Sequence, residues 1–117
     1  MNWNMFIRLF AIAVNESEAK TVAENVLSSI RSNIESVDYV KCVPYWKIDG
    51  LYEVEMKVLV KASFSDTLLN RFLDDISDKW ACLGSPANEF LASVTTKDCS
   101  FIKTGIYMIN ILMNEEF

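Results

Sequence analysis

The stretch YEVEMKVLVKA, residues 52–62, alternates apolar and mostly charged side chains along its whole length. Successive side chains of a β-strand point to opposite faces of a sheet, so this alternation predicts a strand with one packed face and one solvent-facing face. The packed set is Tyr52, Val54, Met56, Val58, Val60 and Ala62, and the solvent-facing set is Glu53, Glu55, Lys57, Leu59 and Lys61.

The dipeptide Asp49-Gly50 lies directly before this strand and predicts a hairpin with a strand over residues 37–48. A two-residue loop would bury Lys41 opposite Val58, whereas a three-residue loop with Gly50 in the left-handed conformation pairs apolar with apolar side chains. We therefore expect the longer loop. It pairs Trp46 with Tyr52, Pro44 with Val54, Cys42 with Met56 and Val40 with Val58. Pro44 lacks an amide donor, which indicates an edge strand or a bulge there.

Two amphipathic helices follow from the spacing of apolar residues. Asn15 and Glu18 form the pattern of a capping box, and apolar residues recur from Ala19 to Ile34, which predicts a helix of roughly 18 residues. A second helix is capped by Ser63 or Ser65 and ends at Gly84. Its apolar stripe is Leu68, Leu69, Phe72, Leu73, Ile76 and Trp80.

The remaining apolar runs predict three more strands. Residues 3–14 form an apolar run, interrupted by Arg8, that indicates a central strand, while residues 89–95 and 104–113 complete the sheet. The predicted architecture is a single α+β domain over residues 1–117, with an antiparallel sheet and two helices on one face. Its order is the ferredoxin-like βαββαβ plan with an extra C-terminal strand, which leaves the other face of the sheet open.

The composition disfavours several classes of function. Among 117 residues, 11 are Lys or Arg and 16 are Asp or Glu, which gives a net charge of −5. Nucleic acids and anionic membranes are bound largely through positive charge, so we expect neither as a partner. The chain contains no histidine, which removes the usual acid–base catalyst and the commonest zinc ligand. We therefore expect no enzymatic activity, no metal and no cofactor.

Two groups of carboxylates have spacings that would suit acid–base catalysis or the binding of a divalent cation. Glu53 and Glu55 lie on one face of a strand at a spacing that suits acid–base work, and Asp74 and Asp78 lie one helical turn apart. In both cases a solvated polar face is the favoured interpretation, since charged side chains are mostly exposed.

The cysteines and the termini indicate the compartment. Cys42, Cys82 and Cys99 are widely spaced and odd in number, which is typical of free thiols in a reducing cytosol. The first residues lack the basic start and cleavage site of a secretion signal, and no apolar run is long enough to span a bilayer. We expect a cytoplasmic protein.

The predicted open face carries tyrosines and aliphatic side chains mixed with carboxylates, which is typical of a protein-binding surface. The second helix adds acidic residues that would steer a basic partner toward it. The predicted partner-binding residues are Tyr39, Tyr45, Glu53, Glu55, Asp74, Asp75 and Asp78. Charge reversal at both glutamates is expected to slow association steeply.

The chain resembles small acidic bacterial immunity proteins of contact-dependent inhibition and related polymorphic toxin systems. The resemblance covers the whole length and rests on size, acidity, the exposed set around Tyr45, the aspartates at 74, 75 and 78, and the segment 80–84. It implies a toxin inhibitor that binds a cognate toxin domain, often a basic nuclease, and occludes its active site.

A self-associating regulatory module of ferredoxin-like plan is the alternative. ACT-like ligand sensors share this plan and place a glycine-containing turn after the first strand. Here that junction is Val14-Asn15-Glu16-Ser17, without glycine and with an added negative charge, which disfavours a ligand sensor but leaves a homodimer open.

Overall fold

The computed structural model describes residues 4–84, 87–97 and 99–114. These residues form six β-strands and two α-helices. The strands are β1 (Asn4–Ile12), β2 (Ile34–Pro44), β3 (Leu51–Val60), β4 (Ala81–Gly84), β5 (Ala87–Ser93) and β6 (Ile106–Asn114), and the helices are α1 (Glu16–Leu27) and α2 (Asp66–Ile76).

All six strands belong to one antiparallel sheet with the order β2-β3-β1-β6-β5-β4. The α+β class and the central position of β1 are confirmed. The ferredoxin-like order is not: after α2 the chain runs to the far edge as β4 and returns through β5 to β6, which lies beside β1. The five predicted strands become six because residues 81–84, assigned to the end of the second helix, form β4 instead.

The core lies between the helices and one face of the sheet. Every second residue of the central strands is buried there, from Met5 to Ala11 in β1 and from Val54 to Val60 in β3. Both helices join the same apolar cluster, α1 through residues such as Val26 and α2 through residues such as Phe72. The alternation in residues 52–62 therefore predicted the packed face correctly.

The first helix begins where its capping residue predicts. The Asn15 side chain accepts a hydrogen bond from the Glu18 amide at 2.8 Å, which satisfies one of the free N–H groups of the first turn. The α-helix ends at Leu27 and continues as a 3₁₀-helix over Ser28–Asn33, so the helical segment has the predicted length of 18 residues in two forms. This continuation is rich in serine, and Ser28 Oγ donates to the Asn25 carbonyl oxygen at 2.7 Å, a competing bond typical of helix ends.

The second helix is shorter than predicted. Ser65 is its N-cap, one of the two predicted candidates, and the helix ends at Ile76. Trp80 lies beyond the helix and does not continue its apolar stripe. Its indole Nε1 donates to the Leu73 carbonyl oxygen at 2.9 Å, which also accepts a hydrogen bond from the Ser77 amide. Asp78 lies beyond the helix, where its carboxylate accepts a hydrogen bond from the Ser100 amide at 2.7 Å.

The predicted register of the β2–β3 hairpin is wrong. Pro44 pairs with Tyr52 and Cys42 with Val54, two positions away from the expected partners, so the connection covers residues 45–50 instead of three residues. Gly50 nevertheless takes the predicted left-handed conformation, with φ of +84°. A β-bulge between Tyr39 and Lys41 shifts the register again. Because a bulge inserts one residue into one strand only, the side chains before it change faces.

Candidate functional site: the open face of the sheet

The side chains that alternate with the core residues form the other face of the sheet, which we call the open face. Directly paired residues of neighbouring strands share a face, so the pairings define its members. The open face contains Asn4, Phe6, Arg8, Phe10, Ser36, Asp38, Lys41, Val43, Glu53, Glu55, Lys57, Leu59, Ala81, Leu83, Glu89, Leu91, Ser93, Met108, Asn110 and Leu112. The predicted placement of Glu53, Glu55, Val43 and Leu59 on this face is confirmed, but the predicted solvated state of Glu53 is wrong, because its side chain is buried there.

Glu53 is buried on the open face although it is charged. Its side chain is only 5% exposed, while those of Arg8 and Lys41 above it are 45% and 43% exposed. Lys41 Nζ lies 2.7 Å from Glu53 Oε1, and Arg8 Nε donates to Oε2 at 3.0 Å, with Arg8 Nη2 on the same oxygen. Both carboxylate oxygens are therefore bound by cations.

Glu55 extends these ion pairs into what we call the charge cluster, consisting of Arg8, Lys41, Glu53 and Glu55. Its Oε1 lies 3.7 Å from Arg8 Nε, and its side chain is 22% exposed. The four residues come from three adjacent strands, because β1 and β2 flank β3 on either side. The cluster holds equal numbers of cations and anions, so it adds no net charge to the open face.

Two opposing effects set the pKa of Glu53. Burial alone raises the pKa of a carboxyl group, but the hydrogen bonds from Lys41 and Arg8 outweigh it and leave the pKa of Glu53 below its ordinary value. The hydrogen bond to Glu53 correspondingly raises the pKa of Lys41. A carboxylate in this state is a fixed anion at neutral pH. The proton-donating role considered for the Glu53–Glu55 pair requires the opposite shift, a raised pKa.

Three aromatic side chains run from this buried region to solvent. Phe10 is 3% exposed, and the Tyr45 ring packs edge-on against it with centroids 4.6 Å apart. The ring centroid of Trp46 lies 6.4 Å from that of Tyr45, and Trp46 is 82% exposed. The Arg8 guanidinium lies 5.1 Å from the Phe10 centroid, so the aromatic side chains and the charge cluster are in contact.

Tyr39 does not lie on the open face, which corrects the sequence-based placement. The bulge between Tyr39 and Lys41 turns Tyr39 toward α1, where its hydroxyl donates to Glu24 Oε1 at 2.7 Å. Burial and this hydrogen bond together raise the pKa of Tyr39. The side chain thus ties the edge strand β2 to α1.

The three aspartates do not form one acidic helix face. Asp74 is exposed and Asp75 half-buried on α2, but Asp78 lies outside the helix in its bond with Ser100. Since α2 packs on the core side of the sheet, these residues are separated from the charge cluster by the thickness of the sheet. The seven predicted residues therefore divide among the open face (Tyr45, Glu53 and Glu55), the contact with α1 and the region of α2.

Sequence reasoning missed Arg8, Lys41, Phe10 and Trp46. Arg8 was treated only as an interruption in an apolar run, yet a lone cation in a central strand is itself a signal. It needs an anion on a neighbouring strand, and the paired glutamates of residues 52–62 supply it. Trp46 was paired with Tyr52 in the expected hairpin register, but Pro44 takes that position and Trp46 lies in the loop.

No group of three or more Cys, Asp or Glu side chains within residues 4–84, 87–97 and 99–114 is arranged to hold a metal ion. In the same part of the chain, none of the helices combines the length and apolar character needed to cross a lipid bilayer. No known family model matches the chain, and no curated protein or solved structure matches it either.

Proposed function

We propose that the protein is an inhibitor that binds a cognate toxin domain and neutralises it through the open face of its sheet. The observation that carries this proposal is the apolar and aromatic content of a sheet face that lies opposite both helices. Exposed apolar surface of this kind on a small protein is typical of an interaction site. The resemblance to bacterial immunity proteins suggests the class of partner.

The size of the open face suits a stable complex. Six strands at about 4.8 Å spacing and roughly 30 Å of strand length give an area on the order of 850 Å². Specific interfaces bury about 800 Å² on each partner, so the face and its rim together are large enough. Docking of this surface over an active-site cleft would exclude substrate without any chemistry by the inhibitor.

The distribution of charge changes the role expected for the glutamates. Glu53 is already neutralised by Arg8 and Lys41, so it supports the surface and has little free charge to offer a basic partner. The helices instead hold six carboxylates against two basic residues. Attraction of a basic toxin at long range would come from the net charge of −5, with contact made by the apolar open face.

Co-expression with the product of the gene immediately upstream tests the proposal. We expect the protein to suppress the toxicity of that product and to co-purify with it as a one-to-one complex. A stable homodimer by light scattering, with no complex and no protection, would contradict the proposal and favour a self-associating module.

A further inference from the structure

Exposed apolar side chains concentrate at one end of the sheet. Ile12, Val14, Trp46 and Ile48 are 55%, 79%, 82% and 39% exposed, respectively. We call these four residues the tip cluster. They come from the end of β1 and from the β2–β3 loop, two segments that are distant in sequence.

Backbone hydrogen bonds bring these two segments together. The Ala13 amide donates to the Gly50 carbonyl oxygen at 3.1 Å, and Ile12 pairs directly with Leu51 at the start of β3. Val14 lines one small concavity together with Tyr45 and residues of the same loop. The two segments that carry the tip cluster therefore lie side by side at this end of the sheet.

The loop that presents Trp46 is held in place on both sides. The Tyr45 amide donates to the Leu51 carbonyl oxygen at 2.8 Å, and the Tyr45 ring rests on buried Phe10. The Lys47 ammonium lies 5.0 Å from the Trp46 ring centroid. An anchor that is already ordered loses less conformational entropy on binding than a mobile one. Tryptophan is also among the residue types that most often dominate binding energy.

The surroundings of the tip cluster indicate what kind of surface would cover it. Its loop carries one cation, Lys47, and one anion, Asp49, and is therefore electrically neutral within an acidic chain. A complementary surface needs no surplus of positive charge. It must instead be apolar and concave to receive a protruding indole.

A second copy of the chain fits this surface less well than a larger partner. An exposed aromatic side chain contributes roughly 150–250 Å², so the tip cluster as a whole offers on the order of 500 Å². Stable dimers bury about 800 Å² or more on each chain. The alternation of β1 places Ile12 on the same face as Phe10, so the tip cluster continues into the open face. A partner that covers both reaches the required area. Because each copy of the chain carries a net charge of −5, a second copy is repelled from this surface, whereas a basic partner is attracted to it.

We propose that the tip cluster anchors the complex with the toxin domain, with Trp46 inserted into an apolar cleft of that partner. This inference rests on the proposed function and names the chemistry of the contact. Apolar burial then holds the complex once it has formed, so the dissociation rate constant changes little with salt, whereas the association rate follows the net charge.

Binding of the upstream gene product to purified variants tests the inference. Trp46→Ala removes the anchor, and Ile102→Ser is the matched control, because Ile102 is 62% exposed and lies at the end of α2, where its amide donates to the Ile76 carbonyl oxygen at 2.9 Å. We expect Trp46→Ala to raise the dissociation constant at least 30-fold and Ile102→Ser by less than threefold. Between 50 and 500 mM salt, we expect the wild-type dissociation rate constant to change less than threefold. These values are order-of-magnitude expectations for a hot spot of about 2 kcal/mol or more.

The outcomes separate the two proposals. If the wild-type protein binds and Trp46→Ala binds equally well, the anchor is refuted while the inhibitor function stands. If the wild-type protein does not bind, the proposed function fails and the anchor fails with it. A concentration-dependent dimer in sedimentation experiments that Trp46→Ala abolishes would identify a second copy as the occupant and overturn the inference.

Discussion

At the scale of single residues, Glu53 is the unusual feature of the molecule. Charged side chains are seldom fully buried unless they are paired, and both oxygens of Glu53 meet a cation from a neighbouring strand. Arg8 and Lys41 each keep nearly half of their side chain exposed. Glu53 therefore fixes two cations on a surface that would otherwise be apolar at this point.

Removing the charge of Glu53 should destabilise the fold. Glu53→Gln keeps the size of the side chain but removes the carboxylate between Arg8 and Lys41, so that Lys41 loses its ion pair and Arg8 keeps only Glu55, at 3.7 Å. We expect the free energy of unfolding to fall by about 1–2 kcal/mol, since hydrogen bonds to charged groups are worth about 1.5–3 kcal/mol and exposure of both cations reduces that. Urea denaturation measures the change. Glu55→Gln is the control and should cost less than about 0.5 kcal/mol; equal losses in the two variants would contradict this assignment.

The lowered pKa of Glu53 predicts how this contribution depends on pH. A carboxyl group with a lower pKa in the folded than in the unfolded state stabilises the fold above its unfolded pKa, about 4.3 for glutamate. The contribution is lost as pH falls through the folded pKa. The stability difference between wild type and Glu53→Gln should therefore be constant from pH 7 to 5 and shrink below about pH 4. If the stability difference between the two proteins grew on acidification, the pKa of Glu53 would be raised in the folded state and not lowered.

At the scale of elements, the sequence predicted the helix ends that depend on neighbouring residues. It missed the helix end that depends on contacts with residues distant in the sequence. Asn15 and Ser65 cap their helices with side chains that lie within a few residues of their targets. The end of α2 depends instead on Trp80 folding back and on Asp78 meeting Ser100, 22 residues away. The predicted hairpin register is wrong because the connection takes the six residues 45–50 instead of three, and the bulge within β2, which leaves no mark in a pattern of period two, then shifts the register again.

The turn before β6 offers a test of how α1 packs. Gly105 has a φ of +83°, and a methyl group added there would lie 2.8 Å from Val22 Cγ2 of α1. Gly105→Ala should cost about 1–2 kcal/mol for the left-handed backbone and about 1–3 kcal/mol more for overpacking. Gly50→Ala is the matched control, because Gly50 has a φ of +84° but no atom within 4 Å of the added carbon.

Thermal or urea unfolding of the two glycine variants measures this difference. Adding Val22→Ala to Gly105→Ala should recover part of the lost stability, because it removes the Val22 Cγ2 methyl group that clashes with the added carbon. If Gly105→Ala and Gly50→Ala prove equally stable, the close approach of α1 to this turn is incorrect.

At the scale of the whole molecule, charge and apolar surface lie on different sides. The helices carry six carboxylates against two basic residues, whereas the open face combines apolar side chains with the charge cluster, whose ions pair among themselves. The sequence predicted the two-layer architecture because alternation in β3 and helical spacing in α1 are strong local signals. It could not predict that β4 forms the edge, since Ala81–Gly84 is short and gains its strand structure from pairing with β5.

We propose that a partner is bound by the open face and not by the acidic helices. The most direct test of this proposal is the affinity for the upstream gene product of Leu112→Asn, on the open face, and of Asp74→Asn, on exposed α2 surface. Asparagine is already present beside Leu112 on the same face of β6, at Asn110, so the first change fits its strand. We predict that Leu112→Asn weakens the affinity at least tenfold, about 1.4 kcal/mol, and that Asp74→Asn changes it less than twofold. The reverse result, with binding lost in Asp74→Asn and retained in Leu112→Asn, would contradict the account.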